Sequence, residues 1–572
     1  MRLDTTMTYQ PPTPQILLAM QSAGGLGSSQ YPDLTRDDAE AIITEAGRFA
    51  AERIAPLNWS GDQTPAKLEN GFVFTPPGWK ETYADWCAGG WNSLTGPSRF
   101  GGQQLPLVLS AACAELWNAA SLSFALCSLL TTGAVEAIAA HGTEELKQLY
   151  LPKMISGEWS GTMNLTEPQS GSDLSQLRCK AKRRGDGSYL ITGNKIYITY
   201  GDQDFTSNII HLVLARLDDA PQGTKGISLF LVPKLLADGS RNDLRCHSLE
   251  KKMGIHGSPT CSMIYGDNGG ATGWLIGEEN RGLNCMFTMM NNARLLVGVQ
   301  GVALADRAMQ AAFAFARERK QGRSLAVSEG SSAIIHHPDV KRMLMDMRAK
   351  TAAARMLCMA TASAIDATSR AASASDKSRA TAHASFLTPL AKSYATDIAV
   401  EVTSSAIQVH GGMGFVEETG VAQYYRDARI LPIYEGTNGI QAIDFVTRKL
   451  RLEDGKIFSD VIDASQQSLA GVTGESAAAA IVTEFRALSD RIFETPDSAE
   501  SLAVASPYTR AFATLVAAGY LAKATTVMNS GGLDDETVAN ARYFIAVELP
   551  SAIASAKASM TGASLLTKTD LA

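Results

Sequence analysis

Apolar and polar residues alternate with a helical period in the first part of the chain. The stretch "LTRDDAEAIITEAGRFAAERI" contains a candidate capping box, formed by Thr35 and Asp38. Its apolar face consists of Ala39, Ile42, Ile43 and Phe49. Helical patterns continue through "LPLVLSAACAELWNAA" and "EELKQLYLPKMI". We therefore predict an N-terminal α domain over residues 34–158.

The pattern changes at about residue 159 to short β-branched runs separated by Gly, Asp and Asn. The runs "SYLITGNKIYIT", "NIIHLVLARL" and "ISLFLVP" have the composition and length of strands. The last such run lies near "GWLIGEENRGL". This part of the chain predicts a β domain over residues 159–278.

Helical spacing then returns, with apolar residues three or four positions apart. The series is Leu295, Val299, Val302, Ala305, Met309, Phe313 and Ala316. Further long helices are predicted from Pro338 to about residue 366 and from 386 to 408, with the Ser/Ala-rich "SRAASASDKSRA" between them as a loop. These helices predict a C-terminal α bundle over residues 279–452.

The two ends of the chain differ from these three parts. Residues 1–33 are rich in Pro, Gly and Ser, which predicts an arm outside the core. From about residue 455 the chain is Ala-rich and helical in pattern, which predicts an additional helical domain over residues 453–572. Because 572 residues exceed what one hydrophobic core usually serves, we expect three or four domains in an α+β, mainly α, protein.

Composition limits the classes of function. The chain is 45% apolar and 19% charged, and its formal charge of −7 gives no general affinity for nucleic acid or anionic membranes. We find no uninterrupted apolar run of about 18 residues and no signal peptide. The eight cysteines lack a C-x-x-C pair, so we expect them to be reduced and mostly buried in a cytoplasmic protein.

One polar stretch, "NLTEPQSGSDLSQ", stands between a predicted strand and a loop. Its hydroxyls and free backbone N–H groups suit a pyrophosphate or the edge of a flavin. The polar residues are Thr166, Ser170, Ser172 and Asp173, around Gly171. A Ser-rich surface turn explains the same string taken alone.

A second stretch, "RILPIYEGTNGIQ", places an acid at the end of an apolar run. Glu435 follows Leu431–Tyr434 and precedes Gly436 and Thr437, where a helix is predicted to begin. Burying a carboxylate is costly. Glu435 therefore either caps the helix or is held in place to accept a proton.

Two further strings have simple interpretations. The glycines of "QVHGGMGF" do not form a dinucleotide fingerprint, because the preceding "DIAVEVTSSAIQ" predicts a helix and not a strand. A tight turn that ends a helix explains them. His336 and His337 lack a companion set of Cys, His or carboxylate ligands, so we predict a polar helix entry and no metal site.

The stretch "HGTEELKQLYLPKMISGEWSGTMNLTEPQSGSD" resembles the acyl-CoA dehydrogenase family. The strings "FGGQQLP", "YLITGNKIYITYG", "EKKMGIHGSPT", "ARERKQGR" and "QVHGGMGFVEETG…YYRDARILPIYEGTNGIQ" agree with the family in the expected order. The resemblance covers about residues 35–450. It implies the acyl-CoA dehydrogenase fold, with an N-terminal helical domain, a central β domain and a C-terminal helical bundle.

The sequence departs from the family pattern at three places. Asn164 replaces a small residue before Leu-Thr-Glu, and Gln423 stands where a Lys or Arg is usual. The string "RKQGR" lacks the aromatic residue that normally follows the glutamine. None of these departures removes a catalytic group.

The resemblance implies FAD as the cofactor. In the family, the flavin ring lies against two segments, which here correspond to Met163, Leu165 and Thr166 and to Tyr197 and Thr199. The resemblance also implies Ser172, Thr437 and Gly439 as cofactor-binding residues. A neighbouring subunit contacts the pyrophosphate and adenylate, which implies Arg319, Gln408, Gly411 and Gly412. We therefore expect a homodimer or homotetramer. Taken alone, the "RERKQGR" cluster favours a solvated helix charge for Arg319, and a ligand-free turn explains the glycines equally well.

The resemblance also implies a reaction. Glu435 corresponds to the base that takes the α-proton of an acyl-CoA thioester, while flavin N5 accepts the β-hydride. Tyr434 and Gly436 are expected to flank the acyl chain, and Arg294 to lie near the base. Asn291 and Ser172 correspond to positions along the pantetheine path.

Within the family, the chain most resembles the larger bacterial enzymes that act on 3-methylmercaptopropionyl-CoA in dimethylsulfoniopropionate breakdown. These form methylthioacryloyl-CoA and pass electrons to an electron-transferring flavoprotein. A short- or medium-chain fatty acyl-CoA dehydrogenase and an acyl-CoA oxidase are alternatives. A DNA-binding flavoprotein of the same fold is a remote one, because residues 456–572 hold eight basic and thirteen acidic residues.

Overall fold

The computed structural model describes residues 9–325, 330–527 and 534–570, apart from the side chains of Asn291 and Asp534. The chain divides into two compact units. The first consists of Met1–Ala51, Pro106–Ala119 and Arg294–Ala572, and the second of Glu52–Leu105 and Ala120–Ala293.

The helices account for most of the described residues. In chain order they are α1 Thr13–Ser22, α2 Arg36–Phe49, α3 Ala55–Gln63, α4 Trp79–Ala88, α5 Leu107–Ala120, α6 Leu122–His141, α7 Glu144–Ser156, α8 Gly282–Glu318, α9 Pro338–Arg370, α10 Ala374–His410, α11 Gly412–Phe415, α12 Val421–Ala428, α13 Asn438–Thr447, α14 Lys456–Thr473, α15 Glu475–Glu494, α16 Ala499–Ala503, α17 Ala505–Val527, α18 Asp534–Tyr543 and α19 Leu549–Leu566. Short π-helical segments, Ala50–Ile54 and Phe544–Glu548, precede α3 and α19.

The strands all belong to the second unit. They are β1 Lys67–Glu69, β2 Phe72–Phe74, β3 Trp159–Asn164, β4 Lys180–Arg183, β5 Tyr189–Thr199, β6 Asn208–Leu217, β7 Ile227–Pro233, β8 Leu244–Leu249, β9 Thr260–Tyr265 and β10 Ala271–Ile276. β1 and β2 form a hairpin, and the other eight form one sheet in the order β10-β7-β6-β4-β5-β9-β8, with β3 paired to β6. Because β10 also pairs with β5, five of these strands close into a ring.

The register of this sheet exposes one aromatic side chain that the sequence assigns to the flavin. β5 pairs with β9 antiparallel, and the pairing shifts between Lys195 and Ile198. A bulge of this kind re-aims the side chains within it. Tyr197 lies in this bulge, and its side chain points out of the unit.

The first unit is a helical body with an aromatic cluster among its C-terminal helices. Phe512 of α17 is fully buried. Its ring centroid lies 5.6 Å from that of Phe386 in α10 and 5.3 Å from that of Phe445 in α13. It also contacts Phe458 of α14 and Phe485 of α15, at 5.6 and 5.3 Å. The C-terminal helices therefore share one core with the helices predicted as the bundle.

Two predictions about the first unit are wrong. Residues 9–33 are not an arm outside the core, because α1 buries Ile16, Leu17 and Met20. The polar string "SRAASASDKSRA" is not a loop throughout, because α10 begins at Ala374. Ser373 accepts a hydrogen bond from the Asp376 amide and caps the helix, and the alanines that follow favour a helix.

Other predictions about elements are confirmed. Thr35 and Asp38 form the capping box of α2, and the helix before "QVHGG" is α10. α6 is long and apolar enough to cross a membrane, but 78% of its apolar window is buried within the protein, as in a core helix. The eight cysteines are free, and all except the half-buried Cys87 are buried.

Candidate active site

The proposed base lies in a turn between two helices of the first unit. The chain leaves α12 at Ala428 and enters α13 at Asn438. Thr437 is the N-cap of α13, because its side chain accepts a hydrogen bond from the Ile440 amide at 3.2 Å. The cap is therefore Thr437 and not Glu435, and the first of the two interpretations of Glu435 is excluded.

The backbone of Glu435 is strained. Its φ of 56° lies in the left-handed region, where side chains other than glycine rarely occur. Gly436 follows with a φ of 86°, and a Cβ at that position would lie 2.6 Å from Nε2 of Gln441. The same Gln441 amide donates a hydrogen bond to the Glu435 carbonyl at 3.4 Å. The left-handed backbone of Glu435 therefore sets the direction of its side chain.

The environment of Glu435 favours its neutral form. Burial raises the pKa of its carboxyl above the ordinary value, while the charges of Arg294 and Lys392 lower it. Desolvation is the largest of these effects. A carboxyl tuned in this way suits a general base that works near neutral pH.

Arg294 of α8 is a half-buried cation with an unused donor. Its Nε is buried and has no hydrogen-bond partner among the described residues. Burial lowers the pKa of its guanidinium, and the charges of Glu435 and Asp444 raise it. A buried donor without a partner commonly marks a ligand or water site.

A second cation, Lys392 of α10, supports the same turn and was missed in the sequence. Its fully buried ammonium donates hydrogen bonds to the Gly436 carbonyl and to Oδ1 of Asn438, both at 2.8 Å. Burial lowers its pKa to about 7, against the opposing charges of Asp397 and Glu435. The only signal in the sequence is a single Lys within the apolar helix pattern of "LTPLAKSYATDIA".

Tyr434 lies directly before the base, and its hydroxyl donates a hydrogen bond to Oε1 of Gln300. Burial and the charge of Glu435 raise the pKa of the Tyr434 phenol. Nε2 of Gln300 is buried without a hydrogen-bond partner among the described residues. The Tyr434 phenol is therefore neutral, and its hydrogen bond to Gln300 fixes its position next to Glu435.

In the second unit, the segment after β3 is locked by a buried ion pair. Met163 is buried in β3, one residue before the strand ends at Asn164, and Leu165 and Thr166 follow half-buried. Nζ of Lys195 lies 2.8 Å from Oε1 of Glu167 and donates to the Leu165 carbonyl at 2.9 Å. Both charged side chains are almost fully buried. We did not predict this pair, although Glu167 belongs to the "LTEP" string.

The neighbouring strand presents a flat aromatic surface. Tyr197 has a φ of 60° and a relative exposure of 61%, so a strained backbone directs a large apolar ring outward. Thr199, two residues later, is half-buried, and Ser172 is exposed in the loop after Gly171. An exposed aromatic ring on a strained backbone, in a strand that also contains Thr199, suits contact with a planar flavin.

The other FAD candidates lie on the surface of the first unit. Arg319, which follows α8 directly, Gln408 near the end of α10, and Gly411, Gly412 and Gly439 are exposed. Gly411 ends α10 with a φ of 59°, as a helix-ending turn requires. Asn291 lies in α8, but its side chain is outside the described part of the chain.

Residues 9–325, 330–527 and 534–570 contain no group of three or more His, Cys, Asp or Glu able to hold a metal ion. His337 is the N-cap residue of α9 and Pro338 its first residue. The prediction of a polar helix entry at the two histidines is confirmed.

Comparison with known protein families gives three matches along the chain. The models for the N-terminal, middle and C-terminal domains of acyl-CoA dehydrogenases match residues 36–158, 162–268 and 280–450. Together they account for more than half of the chain.

Individual proteins agree with these matches. The chain is 50% identical over 478 residues to 3-methylmercaptopropionyl-CoA dehydrogenase of Ruegeria pomeroyi, a match that covers 81% of this chain and 80% of that protein. It is 37% identical over 438 residues to a butyryl-CoA dehydrogenase of Syntrophomonas wolfei, covering 73% and 71%. Among solved structures, ACDH-11 of Caenorhabditis elegans in complex with C11-CoA has a TM-score of 0.79 at 20% identity, covering 100% and 96%.

Proposed function

This chain belongs to the acyl-CoA dehydrogenase family, and from that premise we propose that it converts 3-methylmercaptopropionyl-CoA to methylthioacryloyl-CoA. The family makes it an FAD-dependent oxidoreductase. The observation that carries the choice of substrate is the 50% identity to the Ruegeria pomeroyi enzyme, over four fifths of both chains.

The proposed reaction removes two hydrogens bound to carbon from adjacent positions of the acyl chain. One leaves as a proton and requires a base, and FAD, when bound, supplies the acceptor for the hydride. Glu435 is the proposed base, because its carboxyl is desolvated and its backbone is held in a fixed, strained direction. The raised pKa increases its basicity toward a weakly acidic C–H.

The residues around Glu435 are proposed to favour the charge that develops on the thioester. The Glu435 amide is a candidate donor to the thioester oxygen. Arg294 and Lys392 bring two cationic groups whose charges act on the Glu435 carboxyl. Tyr434 and Gly436 are proposed to flank the acyl chain, with Asn291 and Ser172 along the pantetheine.

The flavin is proposed to lie on the segments that contain Met163, Leu165, Thr166, Tyr197 and Thr199. The support is chemical: one segment is fixed by the Glu167–Lys195 pair, and the other presents the exposed ring of Tyr197. Arg319, Gln408, Gly411 and Gly412 are proposed to contact the FAD of a neighbouring subunit, which implies a homodimer or homotetramer. We propose an electron-transferring flavoprotein as the electron acceptor.

Anaerobic bleaching of the oxidised flavin band with a panel of acyl-CoAs tests the substrate. We expect the first-order bleaching rate to be highest with 3-methylmercaptopropionyl-CoA among butyryl-, octanoyl- and methylthio-thioesters. A higher rate with butyryl- or octanoyl-CoA would replace the proposed substrate with a fatty acyl-CoA.

The same preparation distinguishes a dehydrogenase from an oxidase. After the flavin has been bleached, we expect slow reoxidation by dissolved oxygen and fast reoxidation by an electron-transferring flavoprotein. Rapid reoxidation by oxygen, with hydrogen peroxide formed in equal amount, would assign the chain to the oxidases.

A further inference from the structure

A line of polar contacts leads away from the catalytic turn, and it begins at Lys392. This lysine holds the Gly436 carbonyl and Oδ1 of Asn438, the first residue of α13. Its position therefore fixes the peptide between Gly436 and Thr437 and the start of α13. A group that changes the charge or position of Lys392 therefore also changes the surroundings of the Glu435 carboxyl.

Asn438 has one possible orientation in this arrangement. Its amide oxygen faces Lys392, which is only a donor, and its Nδ2 donates to Oδ1 of Asp397 at 2.7 Å. The same Nδ2 lies within hydrogen-bond distance of Oγ1 of Thr396 and the Ser393 carbonyl, at 2.9 and 3.1 Å. Asn438 therefore connects the carboxylate of Asp397 to the ammonium of Lys392.

Asp397 receives its countercharge from the additional C-terminal helices. Nη1 of Arg510, in α17, lies 4.0 Å from Oδ2 of Asp397, and its Nη2 lies 2.9 Å from Oε1 of Glu401. The guanidinium also lies over the ring of Tyr394, 4.8 Å from its centroid. Three residues of α10 thus converge on one arginine from the C-terminal helices.

Arg510 is held in place from both sides. Glu401 also contacts Lys350 of α9 at 3.1 Å, and Lys350 reaches Glu548 at 3.3 Å. Two residues along α17, Phe512 is fully buried against Phe386 and Phe445 of α10 and α13. The packing of Phe512 therefore fixes the backbone near Arg510 against α10 and α13.

We propose that Arg510 is a positioning residue for the dehydrogenase reaction, which acts on the Glu435 turn through Asp397, Asn438 and Lys392. The additional C-terminal helices then belong to the catalytic machinery and are not a separate appendage. The proposal rests on the proposed role of Glu435 as the base.

The direction of the effect follows from the charges that face Asp397. These are Arg510 from α17, Glu401 and Lys392 from α10, and the neutral amide of Asn438 from α13. Desolvation raises the pKa of Asp397, and Arg510 lowers it. Without Arg510, Asp397 protonates more easily, and Lys392 loses an anion that supports its charge. Glu435 then loses part of a nearby cation, so its pKa rises.

The test compares Arg510→Gln with the wild-type holoenzyme in anaerobic flavin bleaching by 3-methylmercaptopropionyl-CoA over a range of pH. We expect the bleaching rate at neutral pH to fall about threefold to tenfold, as for loss of a partly exposed ion pair. The acid limb of the pH profile should move to higher pH, and Arg510→Lys should restore both. A merely structural role would not move the acid limb.

Arg348→Gln is the matched control. Arg348 of α9 donates to Oδ1 of Asn540 in α18 at 2.8 Å, and its side-chain exposure of 27% resembles the 23% of Arg510. It likewise joins the C-terminal helices to the bundle, but its hydrogen bonds and ion pair are with Asn540, Met345 and Glu536 and not with Asp397 or Asn438. We expect this variant to keep the wild-type rate and pH profile.

A folded Arg510→Gln protein with the wild-type rate and acid limb would overturn the proposal. If Arg510→Gln does not fold, it is combined with Asp397→Asn, which removes both charges. The bleaching rate and the acid limb of this double variant must then match those of Asp397→Asn alone. Additive effects of the two substitutions would also overturn the proposal. If the wild-type protein is not bleached by any acyl-CoA, the proposed function itself fails, and the two failures are thereby distinguished.

Discussion

Glu435 combines two costs at one residue, a left-handed backbone and a desolvated carboxyl. Each lowers the stability of the folded state, and neither is needed to start α13, because Thr437 provides the cap. Strain of this kind persists where the surrounding contacts fix it, and it is concentrated at functional sites. In this turn the contacts are those of Lys392 with the Gly436 carbonyl and of Gln441 with the Glu435 carbonyl.

The strain can be measured by comparing two variants without a carboxyl. We expect Glu435→Gly to have a free energy of unfolding about 1 kcal/mol higher than Glu435→Ala, because only glycine adopts a positive φ without a Cβ penalty. Urea denaturation of the two proteins checks the difference. Equal stabilities, or a more stable alanine variant, would show that the turn relaxes and holds no strain.

The pKa of Glu435 predicts a pH dependence. The base must be ionised, so the bleaching rate should fall as the pH is lowered through the folded-state pKa. Because burial raises that pKa, the fall should begin at a higher pH than for an ordinary glutamate of pKa about 4.3. Single-turnover bleaching over a range of pH, with substrate saturating at each value, gives this limb. A rate that stays constant down to the ordinary range of glutamate would contradict the account.

Sequence reasoning at the residue scale found Glu435 and missed the groups that hold it. Glu435 stands in a distinctive local string, so its neighbours along the chain identify it. Lys392 and Asp397 lie more than thirty residues earlier, in a helix whose pattern predicts only a buried face. Their contacts depend on how α10 and α13 pack, which periodicity does not specify.

At the scale of elements, the order of helices and strands followed from the hydrophobic period, and the errors lay where composition opposed it. Residues 369–380 are polar and small, but Ser373 caps a helix there, and the long α10 continues from it. The Pro- and Gly-rich N-terminal residues contain α1, which is apolar enough to be buried. In both cases ordinary helix-forming features outweighed the turn-forming residues. In α10 the feature is the Ser373 cap, and in α1 it is a short apolar face.

The buried Glu167–Lys195 ion pair, which fixes the segment after β3, gives a prediction at the scale of elements. Lys195→Met leaves the buried Glu167 carboxylate without its cation, so we expect a loss of about 3–5 kcal/mol in the free energy of unfolding. The Leu165 carbonyl also loses its donor, and the purified protein should contain less FAD. The flavin-to-protein absorbance ratio and urea denaturation measure these two effects. Lys182→Met, at an exposed position of β4, is the control and should change neither.

At the scale of the whole molecule, the family models match the chain as far as residue 450, and the helices beyond it share the core of the first unit. We predicted an additional helical domain there, and its boundary at residue 453 stays a prediction. The rings around Phe512 come from α10, α13, α14 and α15, so the C-terminal helices and the catalytic turn depend on one core. Such sharing is invisible in sequence, because an Ala-rich amphipathic helix indicates a buried face but not its partner.

Phe512→Ala tests this shared core. We expect the free energy of unfolding to fall by about 3–5 kcal/mol, since the substitution opens a cavity among four aromatic rings. The flavin-bleaching rate should fall as well, because α13 begins two residues after Gly436. Phe72→Ala, at a position of 59% exposure in β2, should leave stability and rate within error of the wild type. Loss of stability without any change in rate would separate the C-terminal helices from the catalytic turn.

The central claim is that the Glu435 carboxylate takes the α-proton, and Glu435→Gln tests it most directly. The substitution keeps the size of the side chain and removes the base. We expect the variant to purify with FAD and an unchanged flavin spectrum, and to be bleached by 3-methylmercaptopropionyl-CoA about 10²- to 10⁴-fold more slowly than the wild type. Bleaching at the wild-type rate would contradict the account.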